Sequence, residues 1–163
     1  MKTGFWLRGV GLFCLFAMVG CEPHVSMEAE RQLVVEGQYE KGIEALETYL
    51  RNNPESAEAS RAAFFLGKAH LGADKSLDGA TIIFEKILRD FPDSLEAHKS
   101  KYKLGMIALW MGDIDMALAR FRPLAEVPDG PLAPEARQMV LFLERFRTEP
   151  VHANQHEEGE ARP

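Results

Sequence analysis

Few side chains in this sequence have the chemistry for catalysis or metal binding. His152 and His156 are four residues apart, a spacing at which two imidazoles on one helical face could share a metal ion. They belong to the polar segment EPVHANQHEEGEARP, which offers no third ligand nearby, so solvated side chains are favoured instead. His70 and His98 stand alone, and no phosphate-binding glycine loop, G-x-S-x-G, H-E-x-x-H or C-x-x-C motif occurs. We therefore expect no catalysis, no cofactor and no small-molecule substrate.

The reactive residue with the clearest sequence context is Cys21. Lys2 and Arg8 accompany the apolar stretch GVGLFCLFAMVG, which is too short to cross a bilayer as a stable helix and is typical of a secretory signal. Residues 18–21, MVGC, resemble the lipobox of bacterial lipoproteins, in which the cysteine is acylated and the chain is cut just before it. The resemblance implies a lipid on Cys21. The alternative is a plain signal that is cleaved elsewhere and leaves Cys21 free.

Net charge and cysteine usage limit the expected partners. The formal charge is −6, and removal of residues 1–20 with Lys2 and Arg8 would change it to −8. A negative field does not attract nucleic acid or an anionic membrane surface, so we expect no nucleic-acid partner. Membrane contact is expected through acyl chains on Cys21, at about 0.8 kcal/mol per buried methylene. Loss of Cys14 would leave Cys21 as the last cysteine, which excludes an internal disulfide and leaves stability to helix packing.

A fixed period organises the middle of the chain. The segment NNPESAEASRAAFFLG at 52–67 recurs in similar form as DFPDSLEAHKSKYKLG at 90–105, 38 residues later. The matching pairs include Pro54 and Pro92, Ser56 and Ser94, Glu58 and Glu96, Phe64 and Tyr102, and Gly67 and Gly105. Such a period indicates a repeat architecture in which one helical pair is copied and stacked.

Turn signals divide the chain into seven predicted helices. Glycines that allow positive φ, prolines that stop a helix, and Asp or Ser caps such as Ser26 separate them. The predicted spans are 26–36, 39–52, 56–72, 77–90, 94–111, 114–126 and 132–148. The second helix has one apolar stripe, formed by Tyr39, Ile43, Leu46 and Leu50. No segment alternates with the period of two that marks a strand, so the predicted fold is all-α.

The helical pairs resemble tetratricopeptide repeats. Residues 37–54, GQYEKGIEALETYLRNNP, are similar to the second half of such a repeat, and the resemblance covers 26–127 with 132–148 as a capping helix. It implies small residues where helices cross, large apolar residues four positions later, and prolines after the second helices. These are Gly42, Ala80 and Ala117, then Leu46, Phe84 and Phe121, then Pro54, Pro92 and Pro128. The period of 38 departs from the usual repeat of about 34 residues, and LGADKSLDGA carries one extra residue.

Four segments follow from these patterns. We expect a lipoprotein signal peptide at 1–20, a lipidated tether at 21–25, a repeat domain of about three helix pairs plus a capping helix at 26–148, and a disordered polar tail at 149–163. A lengthened repeat behind a lipobox is similar to two envelope families. One is the lipoprotein subunit of the outer-membrane β-barrel assembly machine, which is larger, and the other is the periplasmic coordinator of the Tol–Pal system.

A stripe of side chains on the fifth predicted helix is the candidate binding surface. First helices of stacked pairs line the concave face, where partners usually bind. The predicted groove comprises Phe64, Lys68, His98, Lys99, Tyr102, Met106 and Trp110. Tyr and Trp bring large contact area at low entropy cost, and Met adapts to varied partners. Packing against neighbouring helices is the competing interpretation, favoured for Phe64 and Tyr102 and left open for Trp110.

Charge varies along the repeats. Four glutamates make the first repeat acidic, whereas Lys99, Lys101 and Lys103 make the middle of the chain locally basic. Solvated helix faces are the favoured interpretation, and an anionic peptide or loop docking near the lysines is the other.

The resemblance implies a lipid-anchored scaffold that binds another envelope protein or peptide, in outer-membrane protein assembly or envelope maintenance. Glu22 stands where an aspartate would favour retention in the inner membrane, so we expect the outer membrane, facing the periplasm. The alternative is a structural accessory subunit that self-associates or docks in a larger envelope complex without a peptide client.

Overall fold

The structure, a computed structural model, describes residues 26–73 and 77–148. Within those ranges it contains seven α-helices and no strand. They are α1 (Glu28–Val35), α2 (Tyr39–Asn52), α3 (Ala59–Gly72), α4 (Leu77–Asp90), α5 (Leu95–Trp110), α6 (Ile114–Ala125) and α7 (Ala133–Thr148). The predicted all-α helical-repeat fold is confirmed. The predicted signal peptide, tether and tail lie outside the described residues.

Two helices begin at least two residues later than the sequence predicts. The Ser56 hydroxyl lies 3.1 Å from the Tyr49 hydroxyl and accepts a hydrogen bond from the Glu58 backbone N–H, so residues 56–58 form a turn before α3. The prediction that α3 begins at 56 is therefore wrong. The equivalent Ser94 caps α5 as expected, because its hydroxyl accepts a hydrogen bond of 3.0 Å from the Ala97 N–H.

The N-terminus of α1 also differs from the prediction. Met27, a fully buried residue, holds the N-cap position that was assigned to Ser26. The Ser26 hydroxyl accepts a hydrogen bond of 3.3 Å from the Glu28 N–H, so it still satisfies one of the free donors at the start of the helix.

The helices stack as consecutive antiparallel pairs. Each helix packs against the next in the chain, and α3 also contacts both α1 and α5. The first helices of the pairs therefore lie side by side and form one surface, called here the inner face. Within the described residues, no helix is long and apolar enough to span a membrane.

The core repeats with the sequence period. Leu46, Phe84 and Phe121 are fully buried at equivalent places in three successive clusters, as the resemblance implies. Burying each of these side chains contributes about 1.5–3 kcal/mol to the free energy of unfolding. Ala80 and Ala117 are also fully buried, which agrees with the expected close helix crossings.

Glycines let the paired helices approach closely. A Cβ on Gly67 would lie 2.6 Å from the Phe84 ring, and a Cβ on Gly105 would lie 2.6 Å from the Phe121 ring. Gly42 makes the same kind of approach to Val34, at 2.8 Å. Only hydrogen fits at these positions, so the small residues of the repeat are required by helix packing.

Candidate functional site

An open cleft lies on the inner face between α1, α3 and α5. It has a volume of about 520 Å³. It is lined by Glu28, Arg31, Arg61, Phe64, Phe65, Lys68, Glu96 and Lys99, and we call this set the basic cleft. Three successive first helices contribute to it, so the cleft exists only when the helical pairs are stacked.

Three of the four cations that line the basic cleft lie over aromatic rings. Lys68 Nζ is 4.9 Å from the centroid of the Phe65 ring, and Arg31 Cζ is 5.9 Å from the same centroid. Lys99 Nζ is 5.7 Å from the centroid of the Phe64 ring. Each such contact contributes about 0.5–1 kcal/mol at an exposed site and positions the charged group.

Three cations of the cleft have a carboxylate partner. Arg31 pairs with Glu28 on the same helix. Arg61 pairs with Glu58 at 2.9 Å, and Lys99 pairs with Glu96 at 3.4 Å. The hydrogen bond to Arg31 is the main cause that lowers the pKa of Glu28.

Lys68 is the cation without such a partner. Burial lowers the pKa of Lys68 below its ordinary value, and nearby positive charges lower it further. Those charges belong, in decreasing order of effect, to Lys103, Arg31 and Lys99. Among residues 26–73 and 77–148, no carboxylate forms an ion pair with Lys68 or Lys103. The centre of the cleft is therefore positively charged in a chain that is negative overall.

Three of the predicted groove residues meet in the basic cleft. Lys68 and Lys99 contribute its charge, and Phe64 lines it at the same time as it belongs to the core. The Phe64 ring is buried, 5.7 Å from the Phe84 centroid. Most of the Phe64 side chain therefore packs in the core, as in the interpretation favoured for it.

The other four predicted groove residues lie elsewhere on α5. His98 is half-buried, with Nδ1 3.1 Å from the Ser94 carbonyl oxygen. Tyr102 packs edge-on to Phe121 at 5.1 Å between ring centroids, and Met106 packs against the same cluster. Trp110 is 57% exposed at the end of α5. Tyr102 and Met106 of the stripe thus pack against the core, whereas Trp110 is exposed.

The sequence interpretation missed Arg31, Arg61 and Phe65. A signal for Arg61 was present, because Arg61 and Lys99 are separated by the 38-residue period and so place a cation at the same point of two repeats. Phe65 and Lys103 are related in the same way. Arg31 lies before the clear copies of the repeat, and only the contact of α1 with α3 brings it to the cleft.

Residues 31–94 match the tetratricopeptide repeat family. The match covers less than half of the chain and shows that this segment is similar to tetratricopeptide repeats. The matched segment includes α2, α3 and α4, and the packing continues beyond it, because the Gly67–Phe84 contact recurs as Gly105–Phe121. No curated protein matches the chain.

The similarity of residues 31–94 to tetratricopeptide repeats favours binding over catalysis. Tetratricopeptide repeats are protein-interaction repeats, and helical solenoids of this kind bind partners on extended concave surfaces. The described residues contain no group of three His, Cys, Asp or Glu side chains that could hold a metal ion. The basic cleft is therefore a candidate protein-interaction surface.

Proposed function

We propose that the protein is a lipid-anchored scaffold that binds another envelope protein or peptide through the inner face of its repeats. The observation that carries the proposal is the basic cleft, where positive charge and aromatic rings from three helices converge on the inner face. Aromatic side chains and arginine are enriched among the residues that contribute most binding energy at protein interfaces. Outer-membrane protein assembly and envelope maintenance are the settings that the sequence resemblance favours.

The anchor rests on the sequence around Cys21. The MVGC pattern after a basic and apolar start supports acylation of this thiol, and Glu22 supports the outer membrane, with the repeats in the periplasm. Two or three acyl chains hold a protein firmly at a bilayer, whereas one chain binds marginally.

Metabolic labelling tests the anchor. Cells that produce the native chain are fed an alkyne analogue of palmitate, beside cells that produce Cys21→Ser. The native chain is expected to take up the label and to sediment with outer membranes. Equal labelling of both chains, or release of the native chain in the soluble fraction, contradicts the anchor.

Site-specific photo-crosslinking in cells tests the binding surface. A photoreactive phenylalanine replaces Lys99 in the basic cleft, and in a control it replaces Glu44, which is exposed on α2. We expect one crosslinked envelope protein from position 99, identified by mass spectrometry, and none from position 44. The same products from both positions contradict binding through the inner face.

An apolar surface on α7 favours the second candidate, a self-associating accessory subunit. Leu141, Phe142 and Phe146 are 68%, 61% and 54% exposed, and the two phenylalanine rings stack at 6.3 Å between centroids. Sedimentation velocity over a range of concentrations distinguishes the candidates. A dimer that is lost in Phe142→Ser/Phe146→Ser supports self-association, and a monomer at all concentrations contradicts it.

A further inference from the structure

We propose that the basic cleft binds an acidic polypeptide segment, one with two or more Asp or Glu side chains close together. This inference rests on the proposed function and specifies the class of partner for its inner face. Its structural basis is Lys68, which lies over the Phe65 ring without a carboxylate partner, together with the nearby positive charge of Lys103.

The cations in and around the cleft outnumber the carboxylates that pair with them. The carboxylates of Glu28, Glu58 and Glu96 are already engaged with Arg31, Arg61 and Lys99. Glu96 is held further by a hydrogen bond of 3.4 Å from the Ser60 hydroxyl, so it is not free to turn toward Lys68. The charge of Lys68 is therefore left without a carboxylate partner among the described residues and is available to an anion from a partner.

Lys68 is positioned to receive that anion. Lys68 is half-buried, its ammonium group lies 4.9 Å from the Phe65 ring centroid, and three neighbouring cations repel it. A carboxylate between Lys68 and Lys103 would replace this repulsion by charge-assisted hydrogen bonds, which are about twice as strong as neutral ones. The gain is larger in the partly buried cleft than on an open surface, because the effective dielectric constant is lower there.

Shape and net charge favour a peptide among anionic partners. The cleft lies between packed helices and has an aromatic surface at Phe64 and Phe65, which suits the aliphatic parts of an extended chain. The chain as a whole has a formal charge of −6, which repels extended polyanions such as nucleic acid and membranes and leaves a short acidic segment as the favoured ligand.

A defined peptide tests this inference with the purified full chain in mild detergent. The probe is a fluorescein-labelled 12-residue peptide of glutamate and leucine with both ends blocked, and its control has glutamine in place of each glutamate. Fluorescence anisotropy measures the affinity of each peptide. We expect the glutamate peptide to bind more tightly than the glutamine peptide and to weaken as salt is added.

Two charge-matched double variants locate the binding. Lys68→Gln/Lys103→Gln removes the unpaired charge of the cleft and the charge of its neighbour Lys103, and Lys41→Gln/Lys86→Gln removes two exposed charges on α2 and α4. The cleft variant is expected to bind the glutamate peptide about tenfold more weakly, while the control variant binds like the native chain. Circular dichroism melts confirm that both variants are folded.

Three results would overturn the inference. They are an equal loss of affinity in both double variants, equal affinity for the glutamate and glutamine peptides, and binding of phosphatidylglycerol vesicles that depends on Lys68 and Lys103 and that the peptide does not displace. The last result would indicate a membrane surface as the ligand.

The crosslinking experiment separates this inference from the proposed function. If position 99 still crosslinks its partner in the Lys68→Gln/Lys103→Gln background, the acidic-segment inference is wrong and the scaffold function stands. If the glutamate peptide binds but no cellular protein is crosslinked, the scaffold function is wrong and the cleft specificity stands.

Discussion

The ring of Phe121 occupies the space that a β-carbon on Gly105 would need, with Cζ 2.6 Å from that position. The Phe84 ring has the same relationship to Gly67, also at 2.6 Å. In both pairs, the second helix of a repeat places a phenylalanine against a glycine on the first helix. This contact sets the distance between the paired helices and recurs with the period of the sequence.

Gly105→Ala is expected to destabilise the protein by about 1–3 kcal/mol, because the new methyl group overpacks the Phe121 ring. Alanine has the higher helix propensity, by about 1 kcal/mol, so a net loss of stability shows that the steric effect dominates. Urea unfolding gives the free energy. A double-mutant cycle with Phe121→Leu should show a favourable coupling, since leucine vacates the space. Additive effects would contradict the contact.

Ser100→Ala is expected to stabilise the protein by about 1 kcal/mol. Ser100 is 0% exposed and its Oγ has no hydrogen-bond partner among the described residues, so the hydroxyl is desolvated without compensation. Ala62 holds the equivalent position one period earlier and is also fully buried. The reciprocal change Ala62→Ser should destabilise the protein. Thermal unfolding measures both variants, and a loss of stability in Ser100→Ala would show that the hydroxyl has a partner in solution.

Ala80→Leu and Ala117→Leu are each expected to lower the free energy of unfolding by about 1–3 kcal/mol, because both alanines are fully buried where paired helices cross. The matched control is Ala119→Leu, an exposed position on α6, which should stay within about 0.5 kcal/mol of the native chain. Unchanged melting temperatures for Ala80→Leu and Ala117→Leu would contradict the crossing geometry.

Lys68→Gln is expected to raise the melting temperature at neutral pH, because relief of the burial of the charge and of its repulsion by neighbouring cations outweighs the lost contact with the Phe65 ring. The pKa of Lys68 is lowered in the folded protein from its ordinary 10.5. Between the two pKa values the unfolded chain binds more protons, so native stability rises with pH in that window. The advantage of the glutamine variant over the native chain should therefore shrink as the pH approaches 10.5.

Melts of both chains at several pH values and salt concentrations check this prediction. High salt should reduce the difference between them, because it screens the repulsion from the neighbouring cations. A glutamine variant that is less stable than the native chain at neutral pH would show that the ammonium group has a stabilising partner.

Local patterns in the sequence were sufficient for most of the helical architecture. The 3.6-residue periodicity, the glycines and the prolines act within a few residues, so they predicted seven helices and the breaks between them. The buried positions Leu46, Phe84 and Phe121 were implied by the resemblance to tetratricopeptide repeats. The start of α3 was predicted wrongly, because the Ser56 hydroxyl contacts Tyr49 and does not cap the helix, whereas the equivalent Ser94 caps α5.

The sequence by itself determined the repeat and the small residues at its helix crossings, because a copied motif leaves the same steric demand at each period. Only the tertiary structure decided which side chains share the basic cleft. Arg31, Lys68 and Lys99 come from three different helices, and no local spacing brings them together. These residues converge because of the way the helical pairs stack, and the convergence leaves the charge of Lys68 unpaired. The 38-residue period indicates that the pairs stack, but it does not give the distances between their side chains.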